Sequence, residues 1–83
     1  MDKSINSDAY KVFLRELRAA RRASGLTQVD LAARLGETQS FVSKCERGER
    51  RLDVVELRTF CKAFGVSFAG FVVKLDKALG SKN

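Results

Sequence analysis

One short stretch of the chain, residues 37–51 (ETQSFVSKCERGERR), carries hydrogen-bonding side chains at helical spacing. At about 100° per residue, its residues divide into two faces. The first face is mainly apolar and consists of Phe41, Val42, Cys45 and Glu46. The second face has no carboxylate and consists of Gln39, Ser40, Ser43, Lys44 and Arg47. Amide, hydroxyl and ammonium groups in such a row can bond base edges in the major groove of DNA. An ordinary solvated helix face has a similar composition, so the row alone does not decide the function.

Further donors stand on both sides of this row. Gln28 lies where a preceding helix would begin, and the exposed amides of a helix N-terminus favour an anion. Arg50 and Arg51 follow the row, where they could hold a phosphate strand. Either arginine alone could be a solvated loop charge. Because donors and row converge, the pattern favours a DNA-binding surface.

Composition fits this interpretation and argues against an enzyme. The 83 residues suffice for one small domain, and 16 Lys and Arg against 10 Asp and Glu give a net charge of +6. The chain has no histidine and no clustered carboxylates, so we expect no nucleophile–base pair, metal site, cofactor or small-molecule ligand. Cys45 and Cys61 are sixteen residues apart, which is not a metal spacing, and we expect both to be reduced and buried.

The elements that must position the row are helices. Apolar residues recur at helical spacing, and cap residues and glycines divide the chain into five segments. We expect helices that start at Ser7 or Asp8, Thr27, Thr38, Asp53 and Ser67, and that end near Gly25, Gly36, Gly48, Gly65 and Gly80. This predicts an all-α domain over residues 7–80, with a flexible tail at 1–6 and a short one at 81–83. The second and third helices, joined by a three-residue turn with glycine, form a helix-turn-helix unit.

Residues 26–67 closely resemble the lambda-repressor/Cro-like, or XRE-type, helix-turn-helix family. The pattern comprises Leu26-Thr27-Gln28, Leu31-Ala32, Gly36, Ser40, Val42-Ser43, Glu46, Gly48, Leu57, Ala63 and Val66. The resemblance implies a compact five-helix fold in which the third helix reads DNA. It implies that Gln39, Ser40 and Lys44 approach bases, with Ser43 as a further candidate. The expected phosphate-binding residues are Thr27, Gln28, Arg47, Arg50 and Arg51.

The resemblance also implies an ion pair between Arg21 on the first helix and Glu46 on the third. Glu46 lies at the edge of the apolar face, which explains an acid on a DNA-reading helix. The chain departs from the family where Cys45 replaces a larger apolar residue and where Leu52 or Asp53 replaces proline. Neither departure threatens the fold, since cysteine packs as a small hydrophobe and aspartate caps a helix. We expect Phe41, where the family often has an aromatic, to be half-buried.

The fifth helix is the expected surface for self-association. One reading head of this size contacts few base pairs, whereas two copies on a twofold-symmetric site read more. Its apolar stripe consists of Phe68, Phe71, Val72, Leu75 and Leu79. We expect Phe68, Phe71 or Val72 to point inward, and Leu75 and Leu79 to face a partner.

These observations predict a stand-alone transcriptional regulator, specifically a repressor that binds double-stranded DNA as a homodimer. Two alternatives remain open: an antitoxin that also represses its own operon, and a protein-interaction adaptor. The N-terminus has no apolar run and no stretch reaches membrane-spanning length, so we expect a cytoplasmic protein without membrane contact.

Overall fold

The computed structural model describes residues 7–80, which form five α-helices and no strand. The helices are α1 (Asp8–Ala23), α2 (Gln28–Leu35), α3 (Gln39–Glu46), α4 (Val54–Phe64) and α5 (Phe68–Gly80). The all-α, five-helix prediction is confirmed. The tails expected at 1–6 and 81–83 lie outside the described residues, so that division of the chain stays a prediction.

Each helix begins at a side chain that accepts a hydrogen bond from a backbone amide of the first turn. The capping residues are Ser7, Thr27, Thr38, Asp53 and Ser67. At α2 and α4 the cap is reciprocal, because Asp30 and Glu56 accept from the backbone amides of Thr27 and Asp53. Local sequence therefore sets all five starts, as the polar residues ahead of each apolar stripe predicted.

The turn between α2 and α3 depends on Gly36. Its φ of 70° lies in the left-handed region, where a side chain is strained even though open space surrounds the position. The amide of Glu37 then donates to the carbonyl of Ala32 at 2.9 Å, which closes the end of α2. Thr38 caps α3 directly afterwards. The short turn fixes the two helices as one unit.

The core draws its buried residues from all five helices. Leu17, Leu31, Val42, Cys45 and Cys61 are fully buried. Phe71 of α5 closes the cluster with its ring edge-on to Phe13, at 6.3 Å between centroids. Both cysteines are free and buried, as predicted, and burial raises the pKa of the Cys45 thiol to about 11.

The apolar stripe of α5 divides between core and surface. Phe71 is buried, and Phe68 and Leu75 pack partly against the core. Val72, one of the candidates for an inward position, is 40% exposed, because one residue beyond Phe71 means about 100° around the helix. Leu79 is half-buried. Within residues 7–80, none of the helices has the length and hydropathy needed to cross a bilayer.

Candidate nucleic-acid interface

Helix α3 presents its polar row to the surface because its other side is held in the core. Val42 and Cys45 are fully buried and Glu46 is only 2% exposed. Gln39, Ser40 and Lys44 are exposed, and Ser43 is half-buried. The structure therefore brings the four expected base-reading residues onto one side of one helix.

The ion pair expected between Arg21 and Glu46 is present. Nε of Arg21 lies 2.6 Å from Oε2 of Glu46, and Nη2 lies 3.0 Å from Oε1, so the contact is bidentate. The side chains are 9% and 2% exposed. Arg21 also donates to the carbonyl of Leu26 at 2.9 Å, and Arg18 donates to the backbone carbonyl of Glu46 at 2.9 Å. Helix α1 therefore fixes both the side chain and the main chain at the end of α3.

Two glutamines extend this hydrogen-bond network to the surface. Gln28 donates from Nε2 to Oε1 of Glu46 at 3.0 Å, and Gln39 donates from Nε2 to Oε1 of Gln28 at 3.3 Å. The link orients Gln39 at the start of α3. Since an amide nitrogen carries two hydrogens, Gln39 still has one N–H and its carbonyl oxygen for the two polar positions of an adenine edge.

The sequence did not predict this link. It did identify Gln39, Gln28 and Glu46 as candidate residues. It assigned Gln28 to a phosphate and Gln39 to a base, each on its own. The signal available was the inward position of Glu46, which implied a buried acid in need of donors. Nothing in the spacing, however, gives the distance between α2 and the end of α3.

Arg47 and Ser43 contact each other at the C-terminal end of the row. Nη1 of Arg47 donates to the hydroxyl oxygen of Ser43, and Nε donates to Oε2 of Glu49 at 2.9 Å. The hydrogen bond from Arg47 lowers the pKa of the Glu49 carboxyl. Both side chains of the Arg47–Glu49 pair are 55% exposed, so the pair is open to solvent and ions.

The two arginines after α3 rest against aromatic rings. Arg50 lies 5.1 Å from the centroid of Phe41, and Arg51 lies 4.6 Å from that of Tyr10. Arg50 also forms an ion pair with Glu56, at 2.7 Å between Nη2 and Oε2. Phe41 itself is half-buried, as predicted. Arg50 therefore ties the loop to the start of α4, a role that sequence reasoning did not anticipate.

The start of α2 is occupied by its own cap. The Thr27 hydroxyl accepts from the Asp30 amide at 3.0 Å, and Asp30 accepts from the Thr27 amide at 3.0 Å. The hydrogen bond from the Thr27 amide lowers the pKa of the Asp30 carboxyl. A phosphate at this helix end would therefore meet the side chains of Thr27 and Gln28 and the Asp30 charge together.

The described residues contain no group of three or more residues that could hold a metal ion. The arrangement is thus a surface of hydrogen-bond donors and cations around a fixed, exposed helix. Such a surface suits a polyanion with readable polar edges, which is the chemistry of a DNA groove.

Comparisons with known proteins identify a family. A helix-turn-helix family model matches residues 17–71. Over 57 residues, 69% of this chain and 74% of the relative, the chain is 40% identical to an uncharacterized HTH-type transcriptional regulator, y4dJ, from Sinorhizobium fredii.

Solved structures extend the likeness to most of the chain. An XRE-family like protein from Pseudomonas syringae is 47% identical, with a TM-score of 0.80 over 89% of this chain and 90% of that one. A mutant of the restriction-modification controller protein C.Esp1396I is 27% identical, with a TM-score of 0.80 over 88% and 97%. The clp gene regulator ClgR from C. glutamicum is 26% identical, with a TM-score of 0.74 over 94% and 97%.

Proposed function

This chain belongs to the XRE-type helix-turn-helix family of DNA-binding transcriptional regulators, and on that basis we propose that it binds specific sequences of double-stranded DNA. In this proposal it acts as a homodimer on a twofold-symmetric operator and represses transcription. We place its action in the cytoplasm.

One observation carries the proposal. The exposed row of α3 lies beside a buried Glu46, which receives hydrogen bonds from Arg21 and Gln28. Base readout requires donors and acceptors at set positions, and a helix free to rotate would lose that register. The network gives α3 a defined angle to the rest of the domain, so the row meets a groove as one rigid pattern.

Within this proposal, the residues take two kinds of role. Gln39, Ser40 and Lys44 contact base edges, and Ser43 does so with the hydroxyl hydrogen that its contact with Arg47 leaves available. The phosphate contacts come from Thr27, Gln28, Arg47, Arg50 and Arg51. Arg50 combines this with its pair to Glu56, since its side chain is 43% exposed.

The homodimer is proposed from α5. Leu79 is half-buried, Leu75 is half-buried against the core, and Val72 and Val73 beside them are 40% and 53% exposed. Covering these side chains with the same face of a second copy would remove apolar surface from water. It would also pair two recognition helices, which a twofold-symmetric operator requires. In this proposal, repression results from the exclusion of other proteins from the DNA that the dimer covers.

Selection of bound duplexes from a random pool tests the proposal. We expect enrichment of a sequence with two inverted half-sites about one DNA turn, or roughly 10 base pairs, apart. Titration of the enriched duplex against random competitor should show a preference of at least about a thousandfold. The proposal would be rejected if the pool stays random after several rounds, or if the titration shows no preference for the enriched duplex over random competitor.

A further inference from the structure

An open cleft of about 620 Å³ lies between α1 and the C-terminal end of α3. Five of its eight lining residues are cations, and Glu46 is the one carboxylate among those eight. The lining cations are Lys11, Arg18, Arg21, Arg22 and Arg47. Arg21 is paired with Glu46 at the back of the cleft, and Arg47 is paired with Glu49 at its edge. The charge that remains belongs to α1.

Three of the cleft cations belong to a longer row along α1. Measured from Lys11 at about 100° per residue, Arg18 and Arg22 lie about 20° to either side, and Arg15 lies about 40° away. The row spans about 16 Å at about 1.5 Å per residue. Lys11, Arg15 and Arg22 are exposed, and Arg18 is half-buried where it donates to the Glu46 carbonyl.

The carboxylates of α1 leave this row largely unopposed. Glu16 lies about 140° from Lys11 around the helix, and its contact with Arg15 is 4.0 Å long. Asp8 lies about 60° away, in the first turn at one end of the row. Within residues 7–80, Lys11 and Arg22 take part in none of the four ion pairs.

The row adjoins the proposed reading face. Gln28 and Arg47, both assigned to phosphates above, line the same cleft. A helix about 10–12 Å across fills a major groove about 12 Å wide, and phosphates run along both edges of that groove. Because α1 is bonded to α3 at Glu46, the end of α1's row stands beside the groove edge that the C-terminal end of α3 approaches.

We propose that the α1 row of Lys11, Arg15, Arg18 and Arg22 is a second phosphate-binding track for the DNA backbone. The inference rests on the proposed function, because it places α3 in the groove. Its ligand is a series of phosphodiesters that run past the bases read by α3. The track adds affinity without adding base preference, because a phosphate carries no sequence information.

A paired substitution tests the track. The double variant Lys11→Gln/Arg22→Gln removes two cleft cations, and the control Arg58→Gln/Lys62→Gln removes two exposed cations from α4 that do not line the cleft. Each variant lowers the net charge from +6 by two. The affinity of each protein is measured for the selected duplex and for a random duplex across a salt series.

We expect the cleft variant, which loses four phosphate contacts per homodimer, to show a salt dependence shallower by about 3.6 units of slope, since each lost contact removes about 0.9. The loss of affinity should be equal for both duplexes, and the control should change the slope by much less. An unchanged slope in the cleft variant, or equal changes in both variants, would overturn the track. If the double variant melts less cooperatively than wild type, the single variants replace it, each with an expected change of about two per homodimer.

The same titrations separate the track from the proposed function. If the wild-type protein shows no preference for the selected duplex over the random duplex, the proposed function is rejected. Preserved preference with an unchanged slope in the cleft variant would reject the track alone. Inorganic phosphate, titrated while amide chemical shifts of α1 are followed, distinguishes the source of the anion. Saturable binding of inorganic phosphate, together with an unchanged slope for DNA, would assign the cleft to a free anion and overturn the track.

Discussion

Glu46 connects three parts of the molecule through one carboxylate. It accepts from Arg21 on α1 and from Gln28 at the start of α2, while its own backbone belongs to the end of α3. A buried ion pair adds little over an apolar pair of equal volume, because both charges lose their hydration. Its value here is orientation, since the bidentate contact fixes an angle as well as a distance.

We expect Glu46→Ala to lower the free energy of unfolding by about 3–5 kcal/mol, because it leaves the Arg21 guanidinium buried without its partner. Urea unfolding followed by circular dichroism measures this change. The control Glu49→Ala removes an exposed partner of Arg47 from the same region and should leave the midpoint almost unchanged. Equal midpoints for Glu46→Ala and wild type would contradict the structural role.

The exposed residues of α3 and the following loop separate into readers and anchors. Lys44→Ala should reduce discrimination at one base position by about 1–3 kcal/mol, because its ammonium donates to a base edge. Arg51→Ala should weaken all sequences alike and reduce the salt slope by about one per protomer, or about two for the homodimer. Binding to single-base variants of the selected duplex measures both effects. The assignment is reversed if Arg51→Ala changes base preference and Lys44→Ala does not.

At the scale of elements, the start of α4 depends on charge as well as on its cap. The hydrogen bond from Arg50, and then that from the Asp53 amide, lowers the pKa of the Glu56 carboxyl below its ordinary 4.5. A carboxyl with a lowered pKa stabilises the folded state above its unfolded pKa, and this contribution is lost as the pH falls through the folded value.

We therefore expect the stability of the wild-type protein to fall below about pH 4.5 partly because Glu56 is protonated. Glu56→Gln keeps a side chain that can complete the cap but cannot form the ion pair. Its stability should be lower near neutral pH and should decline less on acidification. Urea unfolding at a series of pH values checks this, and parallel declines for the two proteins would exclude Glu56 as a contributor.

The helices also show which features of the structure could be predicted from the sequence and which could not. Caps and glycines are local signals, so the starts of α1 to α5 were predictable from residues such as Thr27 and Asp53. The Arg21–Glu46 pair was predictable because family resemblance supplied a contact between distant residues. The pairing of Arg50 with Glu56 and the link from Gln39 to Gln28 were not, because both depend on how helices and loops pack. Val72 failed as an inward candidate because a stripe wider than the core does not specify which edge is buried.

At the scale of the whole molecule, α5 is the surface on which a second copy is proposed to dock. Leu79→Lys should shift the monomer–dimer equilibrium toward monomer, because it places a charge where apolar side chains would meet. Sedimentation equilibrium measures the shift, and a thermal melt confirms that the variant folds.

Val55→Lys is the matched control, since Val55 is an apolar residue on α4 with 70% exposure. It should leave the association constant unchanged. Dissociation by Val55→Lys but not by Leu79→Lys would move the interface to α4. If neither variant changes the association constant, then neither Val55 nor Leu79 lies at the dimer interface.

The two buried thiols also provide a way to measure how often the folded chain opens. Cys45 lies on the recognition helix and Cys61 on α4, both are fully buried, and burial raises the pKa of each thiol. The thiolate is the nucleophile that attacks a thiol reagent, so the closed molecule offers neither access nor the reactive species. Modification then proceeds only through opened states, and its rate reports how often each helix leaves the core. A ligand that binds only the closed molecule lowers the population of opened states. It slows both reactions by the factor by which it raises the equilibrium constant for closing.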